Sequence, residues 1–98
     1  MNQLHFKTLE EFKRYPESNK GDISNYILEG ITEALAKGKN SAYIFQIFVE
    51  EDNFSYEVSL PKANWISALS LCMEYFQEED ADKSIETWLV LKKLNEES

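Results

Sequence analysis

Apolar residues recur along this chain with two different periods, and the switches between them mark out its elements. Leu4 and Phe6 alternate with polar neighbours, which suits a short strand or an extended arm over residues 2–6. Thr8-Leu9-Glu10-Glu11 then has the spacing of a capping box: the Thr8 hydroxyl takes the Glu11 amide, and the Glu11 carboxylate reaches back. The helix that follows, over 8–15 with Leu9 and Phe12 on one face, is expected to stop at Pro16 and leave PESNKG as a loop. From Asp22, a candidate N-cap, the residues Ile23, Tyr26, Ile27, Gly30, Ile31, Ala34 and Leu35 fall on a helical grid. Lys37 and Gly38 close that helix, predicted over 22–37, and Gly30 on its apolar face lets another backbone come close.

The period then shortens to two. SAYIFQIFVE is rich in β-branched and aromatic residues, while FSYEVSL alternates Phe54, Tyr56, Val58 and Leu60 with Ser55, Glu57 and Ser59. Joined through Glu51-Asp52-Asn53, the two runs predict an antiparallel hairpin over about 41–60. The first strand is apolar on both sides, with Tyr43, Phe45, Ile47 and Val49 opposed to Ile44 and Phe48, so it is expected to lie more centrally. Ile44 and Phe48 would then need cover from a helix or from another subunit.

Pro61 opens a third helix over 62–79, with Trp65, Ile66, Leu69, Cys72, Met73 and Phe76 in one stripe. Asp80 or Asp82 can cap a fourth over 82–95, carrying Ile85, Trp88, Leu89, Leu91 and Leu94. With no repeat, low-complexity tract or linker, residues 1–98 are expected to form a single α+β domain: a small antiparallel sheet packed by about four helices.

Composition changes the picture mainly through charge. A formal net charge of −8 disfavours phosphate backbones and anionic membranes, so neither direct nucleic-acid binding nor membrane binding is expected. Unbroken apolar runs such as Ala42 to Phe45 are far too short to span a bilayer. A single cysteine and no visible secretory signal point to a cytoplasmic setting.

Much of the acid sits in EYFQEEDADKSIE, Glu74 to Glu86, which holds six carboxylates. The strand over 54–60 covers about 23 Å at ~3.3 Å per residue. The helix after it covers about 27 Å at ~1.5 Å per residue. If that helix folds back along the sheet, Glu50, Glu51 and Asp52 reach the same end as Glu78, Glu79, Asp80 and Asp82. Those seven residues are the candidate partner-binding set, facing a basic protein surface. The bland alternative is a solvated corner, since Asp80 and Asp82 also suit the start of the fourth helix.

Other chemistries find little support. A calcium loop beginning at Asp80 would have Asp82 and Ser84 in place, but Ile85 and Leu91 stand where glycine and glutamate belong. Zinc needs clustered cysteine or histidine, and His5 and Cys72 are the only ones. His5 reads as a solvent-facing strand residue and Cys72 as a buried hydrophobe. No glycine-rich phosphate loop occurs, so no cofactor, metal or catalytic residue is assigned and a non-enzymatic role is expected.

Residues 65–94 resemble small acidic accessory proteins of large tailed phages. In that pattern a Trp and L-x-x-C-x-x-Y-F lead through an acidic turn to a last helix ending in a Leu-Lys-Lys-Leu-like segment. The matching positions are Trp65, Leu69, Cys72, Tyr75, Phe76, Glu79, Asp80 and Leu91 to Leu94. Ala81 and Ser84 depart from it, where a second aromatic and another cysteine would stand. The resemblance implies a host-directed or housekeeping phage protein and transfers no catalytic residue. Taken together, the expectation is an acidic interaction domain, monomer or homodimer: an inhibitor, immunity factor or adaptor for a nuclease, toxin or nucleic-acid-handling protein. The alternatives are a homo-oligomeric assembly protein and a small-molecule sensor or minor enzyme.

Overall fold

The computed structural model describes residues 2–97. Its elements run β1 (Gln3–Phe6), α1 (Leu9–Ser18), α2 (Lys20–Ala36), β2 (Ser41–Val49), β3 (Phe54–Pro61), a 3-10 turn over Lys62–Asn64, α3 (Trp65–Glu79) and α4 (Ala81–Glu97). The α+β architecture is the one read from the hydrophobic periods. The sheet, however, is mixed. β1 takes the edge beside β2 and runs parallel to it, with Leu4 opposite Ile47 and Phe6 opposite Val49. The reason lies in the connection: α1 and α2 return the chain across the sheet, as parallel strands require. β2 and β3 form the expected antiparallel hairpin, from Ser41–Pro61 to Val49–Phe54.

Two helix boundaries differ from expectation around Pro16. This residue lies inside α1, not beyond it, and the helix continues to Ser18. Pro16 falls in the last turn, where a proline disturbs few remaining bonds. Asn19 supports that turn, donating both its backbone N–H (3.0 Å) and its side-chain amide (3.1 Å) to the Tyr15 carbonyl. α2 then begins at Lys20, so PESNKG is almost wholly helical, and Asp22 lies in the first turn instead of capping it. At the start of α1 the box forms as expected, with Glu11 N–H donating to the Thr8 hydroxyl at 3.2 Å. The Glu11 carboxylate reaches one residue further back than in the standard box, to the Lys7 N–H.

α2 packs across β2 in the opposite sense, with Tyr26 near Phe45 and Gly30 against Tyr43 and Ile44. A Cβ on Gly30 would collide with the Tyr43 carbonyl oxygen, so the glycine sets how close the helix comes. Gly38 ends α2 at φ 66°, with Gly38 N–H bonded to Leu35 O and Lys39 N–H to Ala34 O. Those two bonds make a Schellman motif, which satisfies carbonyls the helix leaves open. The buried line on α2 is Ser24, Leu28, Gly30, Ile31 and Ala34, rotated away from Ile23 and Ile27.

A β-bulge redistributes the residues of β2. Tyr43 opposes Ser59 and Phe45 opposes Val58, so Ile44 is the extra residue. Ile44 therefore turns inward beside Ala42, Phe45, Ile47 and Val49, all buried under the helices. The strict alternation read from sequence put Ile44 on the opposite face, and the bulge corrects it. Phe48 does lie on the other side, where it stacks on His5 at 4.8 Å, and His5 itself is exposed.

Trp65, fully buried, anchors the start of α3 through an indole N–H to Leu60 carbonyl bond of 2.8 Å. Leu69, Cys72 and Phe76 follow it into the core, while Ile66 is exposed. α4 contributes Thr87, Leu91 and Leu94 to the same core. Ile85, Trp88 and Leu89, expected inside, are half exposed or more. They project from the helix on the side away from Thr87, Leu91 and Leu94.

Replacing Gly30 by alanine is expected to destabilise the fold by about 1–3 kcal/mol, read from a urea unfolding midpoint, because backbone blocks the new methyl. Burial first, then a hydrogen bond with Tyr26, pushes the Tyr15 hydroxyl up to about 12, and Tyr43 is raised by burial and the nearby Glu57. The folded state therefore holds these protons more tightly than the unfolded chain, whose tyrosines lose theirs near 10. The corresponding stability is present below pH 10 and declines as pH rises from there toward 12. Urea midpoints across that range should fall, and Tyr15→Phe should lessen the fall.

Candidate functional site

The first group of candidate carboxylates occupies the β2–β3 turn. Asn53, at φ 47°, takes the left-handed conformation that the turn needs, and its N–H bonds to Glu50 O at 3.1 Å. This turn is tied to the end of β1: Glu50 N–H donates to Phe6 O and Glu51 N–H to Lys7 O, each at 2.9 Å. The Glu51 carboxylate also accepts the Leu9 N–H at 3.3 Å, adding negative charge at the N-terminus of α1. Glu51 thus has a structural duty beyond any partner. Glu50 and Asp52 are exposed, with no side-chain hydrogen bond or ion pair among the described residues.

The second group occupies the α3–α4 junction. Asp80 N–H closes α3 on Phe76 O at 2.8 Å, and extended backbone at Asp80 then breaks the helix. Its carboxylate accepts the Lys83 N–H at 3.2 Å, so Asp80, not Asp82, caps α4. Asp82 lies in the first turn of α4, where the dipole favours it. Glu78 and Glu79 end α3, where the dipole opposes them, and both are exposed.

Chain direction turns both groups toward one end of the fold. α2 runs against β2, and α3 runs against α2, with the Tyr75 hydroxyl beside Gly21. The helix α1 stands between them. Its first turn holds Glu51, and Pro16 in its last turn lines a depression shared with Glu78. From Leu9 to Pro16 the helix rises about 10 Å at ~1.5 Å per residue. Lys13 and Arg14 of α1 line a hollow together with Glu51, so the surface there carries both signs of charge.

The depression containing Glu78 was not read from the sequence. It lies between α2 and α3 and is lined chiefly by Pro16, Ile23, Ile27, Leu71, Tyr75 and Glu78, with Cys72 at its floor. Leu71 is 68% exposed, more than any other large apolar residue of the core helices. Leu71, Glu74 and Glu78 are three and four residues apart and form one stripe of α3, so an apolar group stands directly beside two free carboxylates. The spacing was present in the sequence, but the position of α2 decides that the stripe stays open.

Among the described residues no group of three or more His, Cys, Asp and Glu could hold a metal ion, and no helix is long and apolar enough to cross a membrane. Comparison with protein-family models, curated proteins and solved structures finds no match to this chain.

Cys72 is buried and its thiol is pushed up by that burial, against a smaller lowering influence from Ser24. At pH 8 a disulfide reagent such as dithionitrobenzoate should react with the native protein at least about 100-fold more slowly than in denaturant, since burial shields the sulfur and disfavours its thiolate.

Proposed function

We propose that this protein is a non-enzymatic interaction domain that binds a basic surface of another protein through its acidic turns. The observation that carries the reading is the open stripe Leu71-Glu74-Glu78. A solubilising acidic corner needs no exposed leucine, whereas a recognition surface uses an apolar anchor ringed by charge. The free carboxylates of Glu78, Glu79 and Asp82 extend that surface, and Glu50 and Asp52 add a second acidic point across α1. With a net charge of −8, such a surface draws a cationic partner in by long-range attraction and favours fast encounter. A nuclease, a toxin or another nucleic-acid-handling protein has the matching positive face, and the chain would act on it as inhibitor, immunity factor or adaptor. The resemblance of residues 65–94 to phage accessory proteins supports a phage-encoded protein directed at its host.

The test is capture by the immobilised protein from a bacterial lysate at low and raised salt. A specific cationic protein should be retained at about 50 mM salt and largely released near 500 mM, as screening shortens the reach of the charges. Leu71→Ser should weaken retention about tenfold or more, the scale of one buried anchor. Charge reversal at Glu78, Glu79 and Asp82 should abolish it. Retention that ignores both changes, or no retention at any salt, would end the proposal.

A further inference from the structure

β3 forms the outer edge of the sheet on the side opposite β1. In the order β1-β2-β3 this strand has no neighbour on its far side among the described residues. It spans eight residues, Phe54–Pro61, of which only Val58 and Leu60 are even partly buried. The Lys62 N–H to Asn40 O bond fixes the alternation of the hairpin ladder. Counting back from it, Leu60, Val58, Tyr56 and Phe54 bond inward to β2, and Ser55, Glu57 and Ser59 turn their N–H and C=O groups outward. Edge strands usually carry lysine, an internal proline or a bulge that discourages pairing. Here the bulge belongs to β2, no lysine lies in β3, and Pro61 stands only at its end.

The face of this edge is also incomplete. Phe54 and Tyr56 sit opposite Val49 and Ile47, two residues of the helix-covered core face, yet they are 45% and 53% exposed. They stack on each other at 6.0 Å and 14°, a flat aromatic pair at the rim of the core.

The two ends of the hairpin differ in charge. Glu50, Glu51 and Asp52 form the turn, while Lys37, Lys39 and Lys62 surround the opposite end, where Ser41 pairs with Pro61. Lys37 and Lys62 have partners in Glu33 and Glu97, and Lys39 has no ion pair among the described residues. An edge that is acidic at one end and basic at the other complements itself when two copies pair head to tail.

We propose that β3 pairs antiparallel with β3 of a second copy of this chain, joining the two sheets into one of six strands. The twofold axis passes at Tyr56. That register sets Phe54 against Val58 of the second copy and Ser55 against Glu57, so the outward backbone groups meet and the four exposed aromatic rings cover one another. Moving the axis to Glu57 would oppose that carboxylate to itself. In the favoured register each acidic turn lies alongside the basic end of the other copy, twice over by symmetry. A foreign strand could meet the backbone groups equally well, but it would not supply the matched pair of charged ends.

Sedimentation velocity on the full chain, from about 1 to 500 µM, reads the outcome directly. The weight-average mass should rise with concentration from that of the monomer toward twice that value. Glu57→Pro removes an outward N–H that the chain's own ladder does not use. Tyr56→Lys places two cations at the axis. Each should weaken dimerisation at least tenfold while the far-ultraviolet circular dichroism stays unchanged. Glu50→Lys with Asp52→Lys should weaken it too, and adding Lys39→Glu with Lys62→Glu should recover it. A monomer at every concentration overturns the proposal. So does a dimer indifferent to Glu57→Pro and Tyr56→Lys, which would assign association to another face, such as Ile85, Trp88 and Leu89 on α4.

Discussion

The contact between helix and sheet at Gly30 is the one the rest of the fold is arranged around. At Gly30 the backbone of α2 lies against the Tyr43 carbonyl and the Ile44 side chain, at the point where β2 is bulged. A helix that approaches a sheet so closely leaves no space for side chains between them at that point, and only glycine fits. The bulge has the complementary effect on the strand, turning both Ile44 and Phe45 under the helix. Ile31 and Ala34 on one side, and Ala42, Ile44 and Ile47 on the other, then close around this contact. The position of α2 in turn fixes α3, which packs along it, and α4, which packs along α3. The molecule measures 44 × 30 × 18 Å, a slab in which the helices lie side by side instead of piling up over the sheet.

That spread explains which features could be read from the chain and which could not. Elements with a strong period and a definite stop were legible: the hairpin, the four helices, the Gly38 terminus of α2 and the close approach at Gly30 all follow from local chemistry. The parallel partner of β1 was not, because parallel pairing depends on where α1 and α2 carry the chain. Pro16 does not end α1, because Asn19 supports the last turn of the helix. The alternation along β2 misled for a physical reason: an extra residue reverses the side on which everything before it points, and no local signal marks Ile44 as that residue. On α4 the apolar residues cover two sides of the helix, and composition alone does not say which side faces α3.

The candidate site was partly legible for the same reasons. The seven acidic positions all lie at the surface, as their clustering suggested, but some have local work: Asp80 caps α4 and Glu51 meets the start of α1. What could not be read was α1 standing between the two groups with Lys13 and Arg14, nor Leu71 left uncovered beside Glu74 and Glu78. Both depend on lateral placement of helices, which periodicity does not encode. The opposed charges at the two ends of the hairpin were visible as residues, yet they acquire meaning only once β3 is known to be an edge.

The two tryptophans have opposite surroundings. Trp65 is sealed in the core with its indole N–H bonded to the Leu60 carbonyl, while Trp88 stands half in solvent with the Lys92 ammonium 5.4 Å from its ring. An indole shielded from water emits at shorter wavelength than a hydrated one, so the intrinsic emission of this chain is a sum of two spectrally distinct sources. Loss of the core shifts the Trp65 component to the red, whereas an event confined to the outer side of α4 alters the Trp88 component alone. The protein therefore carries two optical reporters, one for its interior and one for its surface, without any added label.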